Sequence, residues 1–216
     1  MRLPSADVFE LLHRYGVRTA PRLYASTLED VVAFARGGPV LLRAEGADTA
    51  SGELEADGEE EIRRAYERLW PVAVQHEPAL LLVLRRPPAG PVVAIDAAID
   101  EHGALVLTLL AGQAASHGYP STRREADEMV ERVPGWLSLL HGERGRSMLS
   151  HVLVKAARLF GDMELERMRL APVVIYENTY EVVDAQMEAS RAIEVRHELT
   201  RRAHDVKGYY KPSGRQ

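Results

Sequence analysis

Val40-Leu41-Leu42 is a short run with no polar residue, and it ends in a cation, Arg43. A run without a polar face predicts a strand covered on both sides rather than one lying open to water. What precedes it fits that reading. Ser5 starts a helix with Asp7 in its first turn and Val8, Leu11, Leu12 and Tyr15 on one face, and Gly16 stops it. Arg22–Ala25 reads as a short strand. Thr27 caps a second helix, with Asp30 three residues on, and Gly37-Gly38-Pro39 ends it before the run begins.

The glycines at 46, 52 and 58, with little apolar material between them, predict a loop over 45–58. Glu59–Leu69 is an amphipathic helix carrying Ile62, Tyr66 and Leu69. Val72–Gln75 and Ala79–Leu84 read as strands, separated from later elements by the proline-rich turn 87–91. Val92–Asp100 and Ala104–Leu110 form a hairpin around Glu101-His102-Gly103, followed by loop over 112–121. Arg124–Arg132 and Arg146–Phe160 are helices, and Val173–Tyr176 with Tyr180–Asp184 makes a last strand pair. From Met187 onward Ala192, Val195, Leu199, Ala203 and Val206 recur at helical spacing. These elements predict an α+β chain. Its parts are an N-terminal lobe over 1–70, a C-terminal lobe over 71–186 with a mixed or antiparallel sheet and flanking helices, and a terminal helix and tail over 187–216.

Composition narrows the functions. The chain has no cysteine, which excludes disulfides and thiolate metal sites. The longest apolar run, Ala79–Leu84, is too short to span a bilayer, and no apolar leader follows Met1, so a cytoplasmic protein without a membrane partner is expected. A formal net charge of −5 argues against a nucleic-acid partner. The charge is uneven: Glu53–Glu61 is acidic, whereas seven Arg or Lys face three acids from Arg191 to the end. No Gly-x-Ser-x-Gly elbow and no Walker lysine loop occurs.

Several segments in order resemble the ATP-grasp domain, of β-subunit type, of the NDP-forming acyl-CoA synthetases. They are the opening helix–helix–strand to Arg43, then Asp100–Gly112 as hairpin and glycine-rich end. Ala126–Val130 with Leu139-Leu140-His141-Gly142-Glu143-Arg144-Gly145 is similar to a helix and Gly-x-Arg-Gly turn, and Ala171-Pro172-Val173 with Asp184-Ala185 to a closing hairpin. The resemblance covers about residues 5–188. It implies a two-lobed ATP-grasp fold that binds ATP or ADP with magnesium. It also implies that Arg43 stands where a lysine touches nucleotide phosphates, a substitution that keeps the charge but not the shape. A relay His-Lys pair aligns with Ser51 and Gly52, and serine cannot carry a phosphohistidine. The magnesium-binding acid and Asn before the proline align with Arg169 and Ala171.

The expected function is therefore an ATP-grasp-like protein without ligase chemistry, used for binding, scaffolding or regulation, with no catalytic residue, metal ligand or cofactor assigned. A protein partner or self-association, as a dimer through the terminal helix, is expected. Two alternatives stand beside it. One is an active ADP-forming ligase subunit, with Arg43, Gln75 and Arg144 on nucleotide and Glu177 or Asp184 on magnesium. The other is an interaction module built on the basic terminal helix. Gln75 reads either as a base-contacting residue or as part of a hinge strand with His76-Glu77. Gly142, Arg144, Gly145 and Arg146 read either as an anion site at a helix N-terminus or as a capped turn with its arginines in water.

Overall fold

The computed structural model describes residues 1–45, 53–140, 142–176 and 178–189. The N-terminal elements are α1 (Ser5–Arg14), β1 (Arg22–Ala25), α2 (Leu28–Ala35), β2 (Val40–Ala44) and β3 (Glu53–Ala56). They are followed by α3 (Glu59–Ala73) and β4 (Leu81–Arg85). The remainder is β5 (Val92–Ile99), β6 (Leu105–Ala111), β7 (Ala114–Gly118), α4 (Arg123–Glu131), α5 (Trp136–Leu139), α6 (Glu143–Asp162), β8 (Leu165–Ile175), β9 (Tyr180–Val182) and β10 (Ala185–Ala189). The fold is α+β with two antiparallel sheets. The smaller runs β1-β4-β2-β3; the larger runs β10-β8-β5-β6-β7, with β9 pairing β8.

Two helix starts, those of α2 and α4, are capped by threonine side chains. Thr27 Oγ1 accepts from Asp30 N at 3.2 Å. Thr122 and Glu125 complete a capping box at the start of α4, each side chain accepting from the other's backbone.

β4 explains how the two sheets become one body. Its Leu81 and Val83 belong to the core under α2 and α3, while Leu82 and Leu84 belong to the core of the larger sheet. All four are fully buried, so successive side chains of a single strand serve two cores. α1 precedes β1 in the chain, yet its Val8, Phe9, Leu11 and Leu12 sit in the larger core. Met1–Leu3 lies along β10, with Leu3 N donating to Met187 O at 2.9 Å.

Several expectations need correction. The strand over 72–75 is absent: α3 runs through Pro71 to Ala73 because Ile62, Ala65, Leu69 and Ala73 continue one buried stripe. The apolar Val72-Ala73-Val74 run is thus the end of a helix, and the lobe boundary expected near 71 falls inside it. The passage between sheets is the 86–91 connection after β4. The loop over 45–58 contains β3, and the loop over 112–121 contains β7. Ala114, Ala115 and Gly118 have weak strand preference, but β6 aligns them in register. The last strands begin earlier and end later than expected. Leu165, Met168 and Leu170, all buried, carry β8 back to residue 165, and Met187–Ala189 is strand rather than helix. The terminal helix lies outside the described residues.

Candidate functional site

The sheets meet at the end of β2. Arg43 sits between β3 and β4, in register with Glu53 on one side and Leu82 on the other, and is 5% exposed. Its guanidinium turns to the larger sheet. Nη1 donates to Asp184 Oδ2 at 2.7 Å and Nη2 to Asp184 Oδ1 at 3.1 Å. This two-point geometry fits the planar fork of arginine and not the point charge of lysine. Glu53 is a weaker third partner at 4.0 Å. Burial works against the Arg43 charge, but the hydrogen bonds and charge of Asp184, with Glu45 and Glu53, outweigh it and raise its pKa. Burial raises the pKa of Glu53 above the ordinary carboxylate range, opposed by Arg43 and reinforced by Asp184 and Glu55.

Asp184 is itself fixed. Oδ1 also accepts from Ala185 N at 2.9 Å, and its backbone carbonyl accepts from Ala171 N at 3.0 Å. One residue beyond β2, Glu45 accepts from Ser5 N at 3.1 Å and Ser5 Oγ at 2.6 Å, and that hydroxyl lies 3.0 Å from Tyr24 OH. Burial pushes the Tyr24 pKa well up. A cavity of about 480 Å³ opens on the Asp184 side, lined in part by Glu53, Arg86, Pro88 and Pro172. A second, of about 380 Å³, opens on the Arg43 side, lined in part by Ser5, Glu45, His76 and Gln186.

Arg169 faces the open side of the larger sheet. Strand register sets Gln186, Arg169, Asp96, Thr108 and His117 in one row across five strands. Arg169 Nη1 reaches Asp96 Oδ2 at 3.1 Å, and Thr108 Oγ1 lies 2.9 Å from His117 Nδ1. Gln186 borders both this row and the Arg43 cavity.

The other residues picked from sequence are not brought together with Arg43. Gln75 lies just past α3, exposed, with Nε2 donating to Pro71 O at 3.1 Å; it caps its own helix and does not lie on a hinge strand. Gly142, Arg144, Gly145 and Arg146 form the start of α6 and line neither cavity. Arg146 is ion-paired to Glu131 and, at 2.6 Å, to Glu143, and its guanidinium lies 5.3 Å over the Trp136 ring. Gly145 permits the turn, since a Cβ there would stand 1.7 Å from Leu140 O. Ser51, Gly52 and Glu177 lie outside the described residues. Sequence reading missed Asp184 as the partner of Arg43, and it gave Glu45, Ser5, Tyr24 and Asp96 no part in a site. Nothing local signals a pair 141 positions apart. Among the described residues, no group of three or more His, Cys, Asp or Glu is gathered for a metal ion, and no helix is long and apolar enough to cross a membrane.

Two antiparallel sheets with helices on one side of each, meeting at a cleft headed by a buried cation, define an ATP-grasp architecture. The chain belongs to the ATP-grasp domain family, whose profile matches residues 1–189. It is 28% identical over 197 residues to the ADP-forming acetate–CoA ligase II of Archaeoglobus fulgidus, covering 82% of this chain. The chain spans 29% of that relative's length. In fold it is similar to the dinucleotide-forming acetyl-coenzyme A synthetase 1 of Ca. Korarchaeum cryptofilum, solved with coenzyme A and Ca-AMPCP. There the TM-score is 0.74 at 22% identity, over 88% of this chain and 93% of that one. PH1788 from Pyrococcus horikoshii Ot3 aligns with a TM-score of 0.73 at 20% identity, over 88% and 92%.

Proposed function

We propose that this ATP-grasp domain serves in binding, scaffolding or regulation rather than in phosphoryl transfer. The observation that carries the reading is the Arg43–Asp184 pair: the cation that the resemblance sets at the phosphate position already holds a protein carboxylate at two points. Phosphoryl transfer needs free cations for the phosphates and oxygen ligands for magnesium. The described residues do not fit that group. Asp184 is engaged by Arg43, the acid position before the proline is Arg169, and Arg169 is engaged by Asp96. The role left to the fold is to bind a protein partner or a second copy, and the basic segment after Ala189 supplies charge for it. Calorimetry with Mg-ATP, Mg-ADP and coenzyme A tests this, with no saturable binding expected. Micromolar, metal-dependent binding accompanied by acyl-CoA formation would overturn it.

A second reading, a segment of an ADP-forming acyl-CoA ligase, is favoured by the identity to the Archaeoglobus fulgidus enzyme across most of the chain. In that case Arg43 would exchange Asp184 for a phosphate, and Arg43→Ala would abolish turnover. Turnover that survived Arg43→Ala would remove this reading.

A further inference from the structure

We infer that Arg43 and Asp184 form a built-in clasp, in which the carboxylate closes the cleft from within and screens the guanidinium from outside anions. The two residues come from different sheets: Arg43 from β2 of the smaller, Asp184 from the connection between β9 and β10 of the larger. Each is held at its base by its own sheet, Arg43 between two strands and Asp184 by the amides of Ala185 and Ala171. The pair is thus a strut between fixed points and not a contact of two mobile side chains. A second joint lies one residue away. Glu45 follows β2 and holds Ser5 at the start of α1, a helix that packs in the larger core.

The placement of the cavities says what the strut does. Asp184 lines the space of about 480 Å³ and Arg43 the space of about 380 Å³, so each member of the pair faces a different cavity. An anion approaching Arg43 meets a carboxylate already seated on both outer donors of its fork. That carboxylate is intramolecular, so a free anion competes against a tethered one whose effective concentration is in the millimolar range or above. A ligand spanning both cavities would have to break the pair. The inference rests on the reading that Arg43 holds protein rather than nucleotide in the ligand-free chain, and the two can fail separately.

The test uses Asp184→Asn in the full chain, with inorganic tripolyphosphate as the anion and no nucleotide present. Amide exchange over Val40–Ala44 and over residues 171–185 should quicken at least tenfold, while α4 and α6 keep wild-type protection. Tripolyphosphate should bind the variant at least tenfold more tightly than it binds wild type. Unchanged exchange, or equal tripolyphosphate affinity in both proteins, would overturn the clasp. If Asp184→Asn does not fold, the exchanged pair Arg43→Asp with Asp184→Arg decides. Folding with wild-type exchange over the same segments supports the clasp, and failure to fold overturns it. Ligase turnover by the wild type would sink the proposed function and leave the clasp standing. Unchanged exchange would do the reverse.

Discussion

A double-mutant cycle on Arg43 and Asp184 gives the sharpest energetic test of the cleft. The pair is buried: the side chains are 6% and 15% exposed, with contacts at 2.7 and 3.1 Å. With charge centres about 4 Å apart and an effective dielectric near 20, their attraction is about 4 kcal/mol. Asp184→Leu leaves a desolvated guanidinium whose remaining ion-pair partner is Glu53 at 4.0 Å; the expected loss is about 3 kcal/mol, at the low end for a broken buried pair because Glu53 remains. Arg43→Met leaves Asp184 facing Glu53 without a counter-charge, and about 2 kcal/mol should be lost, since Asp184 is the more hydrated member. The double variant replaces both charges by apolar side chains of similar size and should lie within about 1 kcal/mol of wild type. The coupling energy is then about 5 kcal/mol, read from urea unfolding at neutral pH. A coupling below about 1 kcal/mol would refute the view of Arg43 and Asp184 as a desolvated strut, because exposed ion pairs give values of that size.

Leu84→Ala empties a fully buried position on the strand shared by both cores and should lower stability by about 2–5 kcal/mol. Its urea curve should remain a single transition; two separated transitions would show that β4 does not couple the sheets. Thr122→Ala removes the acceptor for Glu125 N and should lose about 1 kcal/mol by the same assay; an unchanged midpoint counts against the capping box. Glu53 predicts a pH dependence. Its folded pKa is raised, chiefly by burial, so the native state holds the proton more tightly than the unfolded chain does. That contribution is full below the ordinary value of about 4.3 and is lost as pH rises through the raised one. Glu53→Gln should therefore flatten the fall in urea midpoint above pH 4, and a variant curve parallel to wild type would contradict the assignment.

Elements with a strong local code were legible in the amino-acid sequence. Thr27 with Asp30, the all-apolar run before Arg43, and the turn at Glu101-His102-Gly103 each declare themselves within a few residues. The misread elements are those where packing overrules local preference. Val72-Ala73-Val74 has the composition of a strand, and Pro71 argues for a break. Yet Ala73 extends the buried stripe of α3, and burying that stripe against the small sheet decides the outcome. β7 is the converse case, with weak strand formers held straight because β6 offers a full ladder. Met187–Ala189 becomes strand for a similar reason: β8 on one side and the chain's own first residues on the other supply hydrogen-bond partners. No local periodicity reports those partners.

The site was legible by position and not by connection. Arg43 could be picked out because the resemblance sets it, at the end of an apolar strand, where a lysine touches nucleotide phosphates. What satisfies it depends on strand pairing across most of the chain, so Asp184 could be read as well for magnesium as for arginine. Register settles the matter for Arg169 too. Only the pairing of β8 with β5 sets it opposite Asp96, turning an apparent obstacle to a metal into one half of a cross-strand ion pair. Two cations stand where the family resemblance places phosphate and metal chemistry, and each is matched by an acid from another strand or connection. Charge balance at both positions gives each of these cations a protein partner of its own.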